Sequence, residues 1–234
     1  FGHLFYCIGL TADFRSRPFE TMRAHVSIPT ELLERADFES FLYLSSTRVY
    51  GKSDRAEETA ELSTTPEDPS DLYNLSKLTG EAICLHSGRA GARVARLSNV
   101  VGVDPGSPTF LSDLMRDAAK GHVTLQTDPS SWKDYVMIDD VCDLLAKIAF
   151  EGRSPIYNVA SGVDITHGAL VERLSALTGA TYDVKPGAPV SRFPKIAVDR
   201  IKSEFKFEPR DVMSYLPDLM RATVGHRGLI DATL

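Results

Sequence analysis

No stretch of this 234-residue chain approaches the roughly 20 consecutive apolar residues that a bilayer-spanning helix needs. The opening run Phe1-Gly2-His3-Leu4-Phe5-Tyr6-Cys7-Ile8 is too short, and too uncharged at its head, to act as a secretory signal. Cysteine is scarce. Cys7, Cys84 and Cys142 are odd in number, far apart and outside any C-x-x-C spacing, which argues against a disulfide framework. The simple reading is a reducing cytoplasm, with Cys7 and Cys142, both in apolar runs, as small core residues. Positive charge is also short: 26 Lys plus Arg against 32 Asp plus Glu give a formal net charge of -6. That leaves no broad cationic footprint for nucleic acid or an anionic membrane, although an anionic small molecule needs only a local basic pocket. His3, His25, His86, His122, His167 and His226 show no metal-ligand spacing with one another or with cysteine, so no metal is expected.

What is present is a chain that is 43% hydrophobic, enough for one sizeable core or a core with a small appended lobe. Leu4 to Ile8 and Phe41 to Leu44 read as buried parallel strands. Between them Pro18 to Ala36 reads as a helix with Phe19, Met22, Val26, Leu32 and Leu33 on its apolar face, kinked by Pro29. After a polar loop over Ser53 to Asp71, a helix is expected from Leu72 to Ser87 and a strand from Arg93 to Leu97. This alternation of strand and helix is that of a doubly wound α/β sheet. Beyond the turn-rich Asp104-Pro105-Gly106-Ser107-Pro108, helices are expected over Phe110 to Lys120, Asp139 to Phe150 and Thr166 to Thr178, the last capped by Thr166 and stopped by Gly179. Strands are expected at Val123 to Gln126 and Ile156 to Val159.

The chemistry concentrates in Ser45-Ser46-Thr47-Arg48-Val49-Tyr50-Gly51 and Tyr73-Asn74-Leu75-Ser76-Lys77. Tyr73 and Lys77 are four apart on the expected helix and project from one face. An ammonium beside a phenol favours phenolate, drawing down a pKa whose reference value is about 10. A serine hydroxyl at a strand end can bond the same substrate oxygen, completing a proton-transfer site. A hydrolase built on Ser46 fails on context, because no G-x-S-x-G elbow surrounds it.

These segments resemble the extended short-chain dehydrogenase/reductases of the NAD-dependent epimerase/dehydratase family. Leu44 to Gly51 is similar to that family's strand and turn, and Tyr73 to Lys77 to its Y-x-x-x-K helix. Arg96-Leu97-Ser98-Asn99-Val100-Val101-Gly102 resembles R-x-x-N-x-x-G, and Lys133 to Asp140 resembles R-D-Y-x-x-V-x-D. Tyr157-Asn158-Val159 with Gly162 matches a later strand, and the order of all these segments is the family's. The resemblance implies a Rossmann-like sheet, N-terminally incomplete, over residues 1–106 and 136–162, with a small C-terminal substrate-binding lobe over 107–135 and 163–234. It implies Tyr73 as acid/base, Lys77 as the residue that tunes Tyr73 and orients the cofactor ribose, and Ser46 as the catalytic hydroxyl, with Ser45 as runner-up. Gly9, Leu10 and Ser98 would line the cofactor, which is NAD, or NADP. Thr47, Asn99, Lys133 and Arg192 would touch a nucleotide-sugar substrate. For Arg192 a solvated surface arginine is an equal reading, and packing accounts for Trp132.

The chain departs from the family pattern in three places. No Gly-rich dinucleotide fingerprint follows a strand; Gly88-Arg89-Ala90-Gly91 follows a helix and is a decoy. The fingerprint would lie upstream of Phe1, so the displayed chain alone is expected to bind cofactor poorly and to be inactive. His25 stands near the place of an Asn that supports the active-site backbone, and is either a substitute donor or a surface histidine. Lys133 stands in place of a phosphate-binding Arg, without the bidentate fork. Asp139 and Asp140 read as helix-capping residues. The small-residue strip Tyr73, Ser76, Lys77, Gly80, Cys84 would let a second helix approach, and a homodimer through it is expected; core packing within one subunit is the alternative. The function expected is epimerisation or reduction of a nucleotide-activated sugar, with dehydration disfavoured by Thr47 and Arg48 where dehydratases carry acids. The competing class is a non-catalytic nucleotide-binding or scaffold relative.

Overall fold

The computed structural model describes residues 1–104 and 106–230. Pro105 in the expected turn, residues 231–234 at the end of the expected lobe, and the side chain of His226 lie outside the described residues. In order, the elements are β1 (His3–Tyr6), α1 (Pro18–Met22), a π-helical stretch (Arg23–Ser27), α2 (Ile28–Arg35), β2 (Ser40–Ser46), a 3-10 turn (Thr47–Tyr50), α3 (Asp71–His86) and β3 (Ala92–Leu97). They continue with β4 (Asn99–Val101), α4 (Phe110–Ala118), β5 (His122–Leu125), β6 (Trp132–Met137), α5 (Ile138–Glu151), β7 (Ile156–Val159), β8 (Asp164–Thr166), α6 (His167–Thr178), β9 (Thr181–Val184), α7 (Asp199–Phe205) and α8 (Val212–Ile230). The chain divides into two compact units. The first comprises Phe1–Ser98, Asp140–Gly162 and Pro194–Glu208; the second comprises Asn99–Asp139, Val163–Phe193 and the chain from Pro209 onward. The return of residues 194–208 to the first unit is a crossing that no motif announced.

In the first unit β1, β2, β3 and β7 form a fully parallel sheet in the order β1-β2-β3-β7. Along β1 the two faces differ in cover. Leu4 and Tyr6 pack with Leu33, Phe41, Tyr43, Cys84 and Val94 on one side. His3 and Phe5 meet Phe150 of α5 edge-on, at ring separations of 4.5 and 6.4 Å. The neighbouring strand β2 is buried on both faces through Tyr43, as a parallel strand that is apolar on both sides requires. The fold is therefore the expected α/β type.

The helix after β1 departs from the regular helix expected. Its break is the π-helical stretch Arg23–Ser27, and Pro29 sits at the start of α2. Proline has no N–H to donate to the carbonyls one turn back. Tyr43 instead donates its phenol hydrogen to the His25 carbonyl at 2.9 Å, and Tyr6 donates to that of Ala24 at 2.5 Å. The extra residue in the turn also rotates the buried face. Thr21, Ala24, His25, Pro29 and Leu33 are buried, whereas Phe19 and Met22, expected inside, are 85% and 37% exposed.

The small-residue strip on α3 is likewise not a subunit face. Tyr73, Ser76, Lys77, Gly80 and Cys84 are all buried within this unit. A Cβ on Gly80 would overlap the Tyr43 hydroxyl and the His25 carbonyl, so the strip serves packing of α3 against β2 and the π-helical stretch. Cys7 and Cys142 are exposed and Cys84 is buried, the reverse of the core roles expected for the first two. Cys7 lies just past the end of β1, and Cys142 falls outside the buried stripe Val141, Leu144, Leu145, Ile148 of α5.

The second unit gathers α4, α6 and α8 around a core that includes Leu111, Met115, Leu125, Leu170, Leu174 and Leu216. Thr166 caps α6 by accepting from the Ala169 N–H at 3.1 Å, and Gly179 ends it with a left-handed φ of 75°. Among the described residues no helix is long and apolar enough to cross a membrane.

Gly80→Ala should overpack the α3 contact and cost about 1–3 kcal/mol of stability. The urea-unfolding midpoint reads this, and an unchanged midpoint would contradict the packing.

Candidate active site

Ser46 is the last residue of β2, in extended conformation, and its side chain accepts the Arg48 N–H at 3.2 Å to start the 3-10 turn. A strand followed by a tight turn leaves that hydroxyl at the carboxyl edge of the sheet, facing the first turns of α3. There it lies close enough to the Tyr73 phenol to favour its ionised form. Tyr73 is buried, its ring 5.4 Å from that of Phe14, 5.3 Å from His25 edge-on, and 5.3 Å below the Arg48 guanidinium. One helical turn on, Lys77 is buried too. Its Nζ lies 6.0 Å from the centre of the Tyr73 ring and donates to the Leu44 carbonyl at 2.9 Å. The structure thus brings Ser46, Tyr73 and Lys77 together, with Ser46 rather than Ser45 against the phenol.

The electrostatics differ from the expectation that Lys77 lowers the pKa of Tyr73. Burial is the larger effect and raises the phenol above its ordinary value, with the Ser46 hydrogen bond and the Arg48 charge opposing it. Desolvation penalises phenolate more than the Ser46 hydroxyl and the Arg48 charge stabilise it. Burial likewise pushes the Lys77 ammonium down to about 8, against the pull of Glu81 and Cys7.

His25 is neither a surface residue nor a backbone donor. It is fully buried, and its Nε2 accepts the Leu10 N–H at 3.1 Å. Because Leu10 N–H can only donate, Nδ1 carries the imidazole proton and gives it to Ser76 Oγ at 2.8 Å. Ser76 in turn donates to the Tyr73 carbonyl at 2.8 Å. This relay ties the loop after β1 to the helix that carries Tyr73. Burial and the Lys77 charge hold the imidazole down to about 3, so it stays a neutral acceptor. A Cβ on Gly9 would sit 3.2 Å from His25 Nε2 and 3.5 Å from Lys77 Nζ, so only glycine leaves that approach open.

Ser45 points to a buried ion pair that sequence reasoning missed. Its hydroxyl donates to Glu81 Oε1 at 2.5 Å, and Glu81 accepts from Arg96 Nη2 at 2.6 Å and Nε at 3.1 Å. Arg96 Nη1 donates to the Tyr50 phenol at 2.7 Å, which donates to Asn158 Oδ1 at 2.8 Å. The available signal was Glu81 standing four residues past Lys77 on one helix face. Thr47 is buried and donates to the Leu97 carbonyl at 3.3 Å, while the Ser98 N–H is bonded to Val159 at 3.0 Å. Asn99, Lys133 and Arg192 belong to the second unit. There Asn99 donates to the Asp134 carbonyl at 2.8 Å, Lys133 lies 4.7 Å over Phe110, and Arg192 lies 5.8 Å over Trp132. Among the described residues no His, Cys, Asp and Glu group could hold a metal ion.

Lys77 provides a test of whether a nicotinamide dinucleotide suits this edge. Its ammonium is buried yet uses one of its three hydrogens on a protein acceptor, which leaves donors for a hydroxyl-bearing group such as a ribose. With Gly9 open beside it, the nicotinamide-ribose end fits the residues present.

The model of the NAD dependent epimerase/dehydratase family matches residues 3–160, and the chain belongs to that family. It is 24% identical over 154 residues to the low-salt glycan biosynthesis protein Agl12 of Haloferax volcanii, across 63% of this chain and 48% of that protein. The chain thus spans about half the length of this curated relative. Its fold is shared with RMD of Pseudomonas aeruginosa, solved with NADPH, at a TM-score of 0.77 and 22% identity over 93% of this chain and 80% of that one. MoeE5, solved with UDP-glucose and NAD, aligns with a TM-score of 0.74 and 23% identity over 96% of this chain and 79% of its own.

A neutral buried His25 has a definite signature in stability. Between its ordinary value of 6.5 and about 3 the unfolded chain binds a proton that the folded chain refuses. Stability is therefore lost as pH falls below 6.5, with a limiting slope of about 1.4 kcal/mol per pH unit from this group. His25→Asn should remove that component. The difference in unfolding free energy between wild type and variant should shrink from pH 7.5 to pH 5, and a constant difference would rule the assignment out.

Proposed function

We propose that this chain carries the proton-transfer site of an NAD(P)-dependent enzyme that oxidises or reduces a hydroxyl-bearing carbon of a nucleotide-activated sugar, with epimerisation or net reduction as the outcome. The observation that carries this reading is the buried Tyr73 phenol with the Ser46 hydroxyl and the Lys77 ammonium beside it at the sheet edge. Family membership supports it, as do the NADPH bound by RMD and the UDP-glucose and NAD bound by MoeE5.

A bound nicotinamide supplies the hydride donor or acceptor. The chain supplies the proton. With its pKa raised by burial, Tyr73 is a protonated phenol at neutral pH, the form that donates to a carbonyl oxygen as it is reduced. The reverse transfer, from a sugar hydroxyl, needs phenolate, which the Ser46 hydroxyl and the positive charge of Arg48 favour. Ser46 holds the substrate oxygen within reach, and the spare donors of Lys77 orient the ribose. In the second unit, Asn99, Lys133 and Arg192 are the candidates for binding the sugar nucleotide, Lys133 and Arg192 being cations suited to its phosphates.

Tyr73→Phe should lower kcat by about 10²- to 10⁴-fold while leaving the fold intact. The measurement is a panel of sugar nucleotides offered to the full-length protein with either cofactor, followed by nicotinamide absorbance and product analysis. Full turnover by the variant would reject Tyr73 as acid/base. Binding of a sugar nucleotide with no turnover under any cofactor would favour the non-catalytic class.

A further inference from the structure

The mouth of this site carries an unusual charge arrangement. The nearby carboxylates already have cations: Asp13 is held by Arg17 at 3.1 Å, and Asp68 and Asp71 by Lys52 at 2.9 and 2.6 Å. Arg48 and Arg15 are left without a carboxylate partner among the described residues. Both guanidinium groups lie over the ring of Phe14, at 4.9 and 4.6 Å from its centre, and Arg48 also lies 5.3 Å over Tyr73. Arg15 donates to the neutral Ser70 hydroxyl at 2.9 Å. Arg48 is half-buried, and its guanidinium donates no hydrogen bond to the described residues. Stacking on aromatic faces occupies the face of a guanidinium and leaves its in-plane N–H groups free. Two cations over one ring also repel each other, and burial together with Arg15 holds the Arg48 pKa below its ordinary value. An anion beside Arg48 would relieve both costs.

We propose that Arg48, assisted by Arg15, is a carboxylate-binding site beside Tyr73, and that the substrate is a nucleotide sugar bearing a carboxylate on its ring: a hexuronate. The inference rests on the functional reading above, because Tyr73 marks the reacting carbon. The phenol handles the proton of the reacting hydroxyl, so a group that meets Arg48 is attached to a neighbouring ring carbon. The diphosphate is attached at the anomeric carbon, and the free nucleotide diphosphate controls for its meeting Arg48 instead. The planar guanidinium fork also matches a carboxylate in bidentate fashion, which an ammonium cannot do.

The test compares matched hexose and hexuronate pairs, carried on uridine and on guanosine diphosphate, with the free nucleotide diphosphates as controls. Binding to the full-length protein with its nicotinamide cofactor is read by calorimetry for wild type, Arg48→Met, Arg48→Lys and Arg15→Met. A charge-assisted pair of this kind is worth about 10- to 100-fold in affinity. Wild type should prefer a hexuronate over its hexose by that factor, Arg48→Met should abolish the preference, and Arg48→Lys and Arg15→Met should each retain part of it. If Arg48→Met does not fold, loss of part of the preference in Arg48→Lys and Arg15→Met carries the same conclusion. Equal binding of hexose and hexuronate by wild type would overturn the inference while leaving the proposed function standing. So would an Arg48→Met variant whose affinity for the free nucleotide diphosphate falls as far as that for the hexuronate. Failure to bind any sugar nucleotide would overturn both.

Discussion

Everything at the candidate site depends on helix α3 lying within hydrogen-bonding distance of the ends of β2 and β3, and the water-excluded ion pair between Glu81 and Arg96 holds it there. Both side chains are 4% exposed, so neither charge tolerates loss of the other. Breaking such a pair by removing one partner costs about 3–5 kcal/mol, because a buried charge is left uncompensated. Each remaining polar neighbour is matched as well: Ser45 gives Glu81 its hydroxyl hydrogen, and Tyr50 accepts from Arg96. Bidentate geometry fixes the rotation of α3 about its axis. Tyr73 and Lys77, two turns and one turn earlier, are carried to the carboxyl edge by that rotation.

A second constraint acts on the opposite side of α3. Pro29 cannot donate to the preceding turn, where the carbonyls of His25 and Ala24 accept phenol hydrogens from Tyr43 and Tyr6. The resulting π-helical stretch turns His25 inward, and the absence of a side chain on Gly80 lets it come close. The imidazole then spans from the Leu10 backbone to Ser76, so the loop after β1 and the helix bearing Tyr73 are positioned by one neutral ring. Polar groups buried this deeply specify geometry because any other arrangement leaves a donor or acceptor unsatisfied.

Much of this was legible in the amino-acid sequence, and the limits have physical causes. The parallel strands were visible as short apolar runs, the cap of α6 as Thr166 and its stop as Gly179, because these signals are local. Order and spacing of Ser46, Tyr73 and Lys77 pointed to one sheet edge. What escaped depended on packing at a distance. One added residue in the turn at Arg23–Ser27 rotated a helix face and exposed Phe19, and periodicity cannot register such a slip. The partner of Arg96 lay on another element. The direction of the Tyr73 shift was misjudged because a neighbouring ammonium is visible in sequence whereas desolvation is a property of the folded interior.

The account makes Tyr73 a phenol held neutral by burial, which the positive charge of an oxidised nicotinamide ring bound beside it would make easier to ionise. A single titration reaches that claim: the ultraviolet difference spectrum of wild type minus Tyr73→Phe, followed with pH, first for the protein alone and then with oxidised nicotinamide cofactor and a bound sugar nucleotide. The account predicts ionisation above pH 10 for the protein alone and a clear fall toward neutrality in the complex. A phenol that titrates below 10 without ligands, or one whose ionisation stays where it was when they bind, would contradict it.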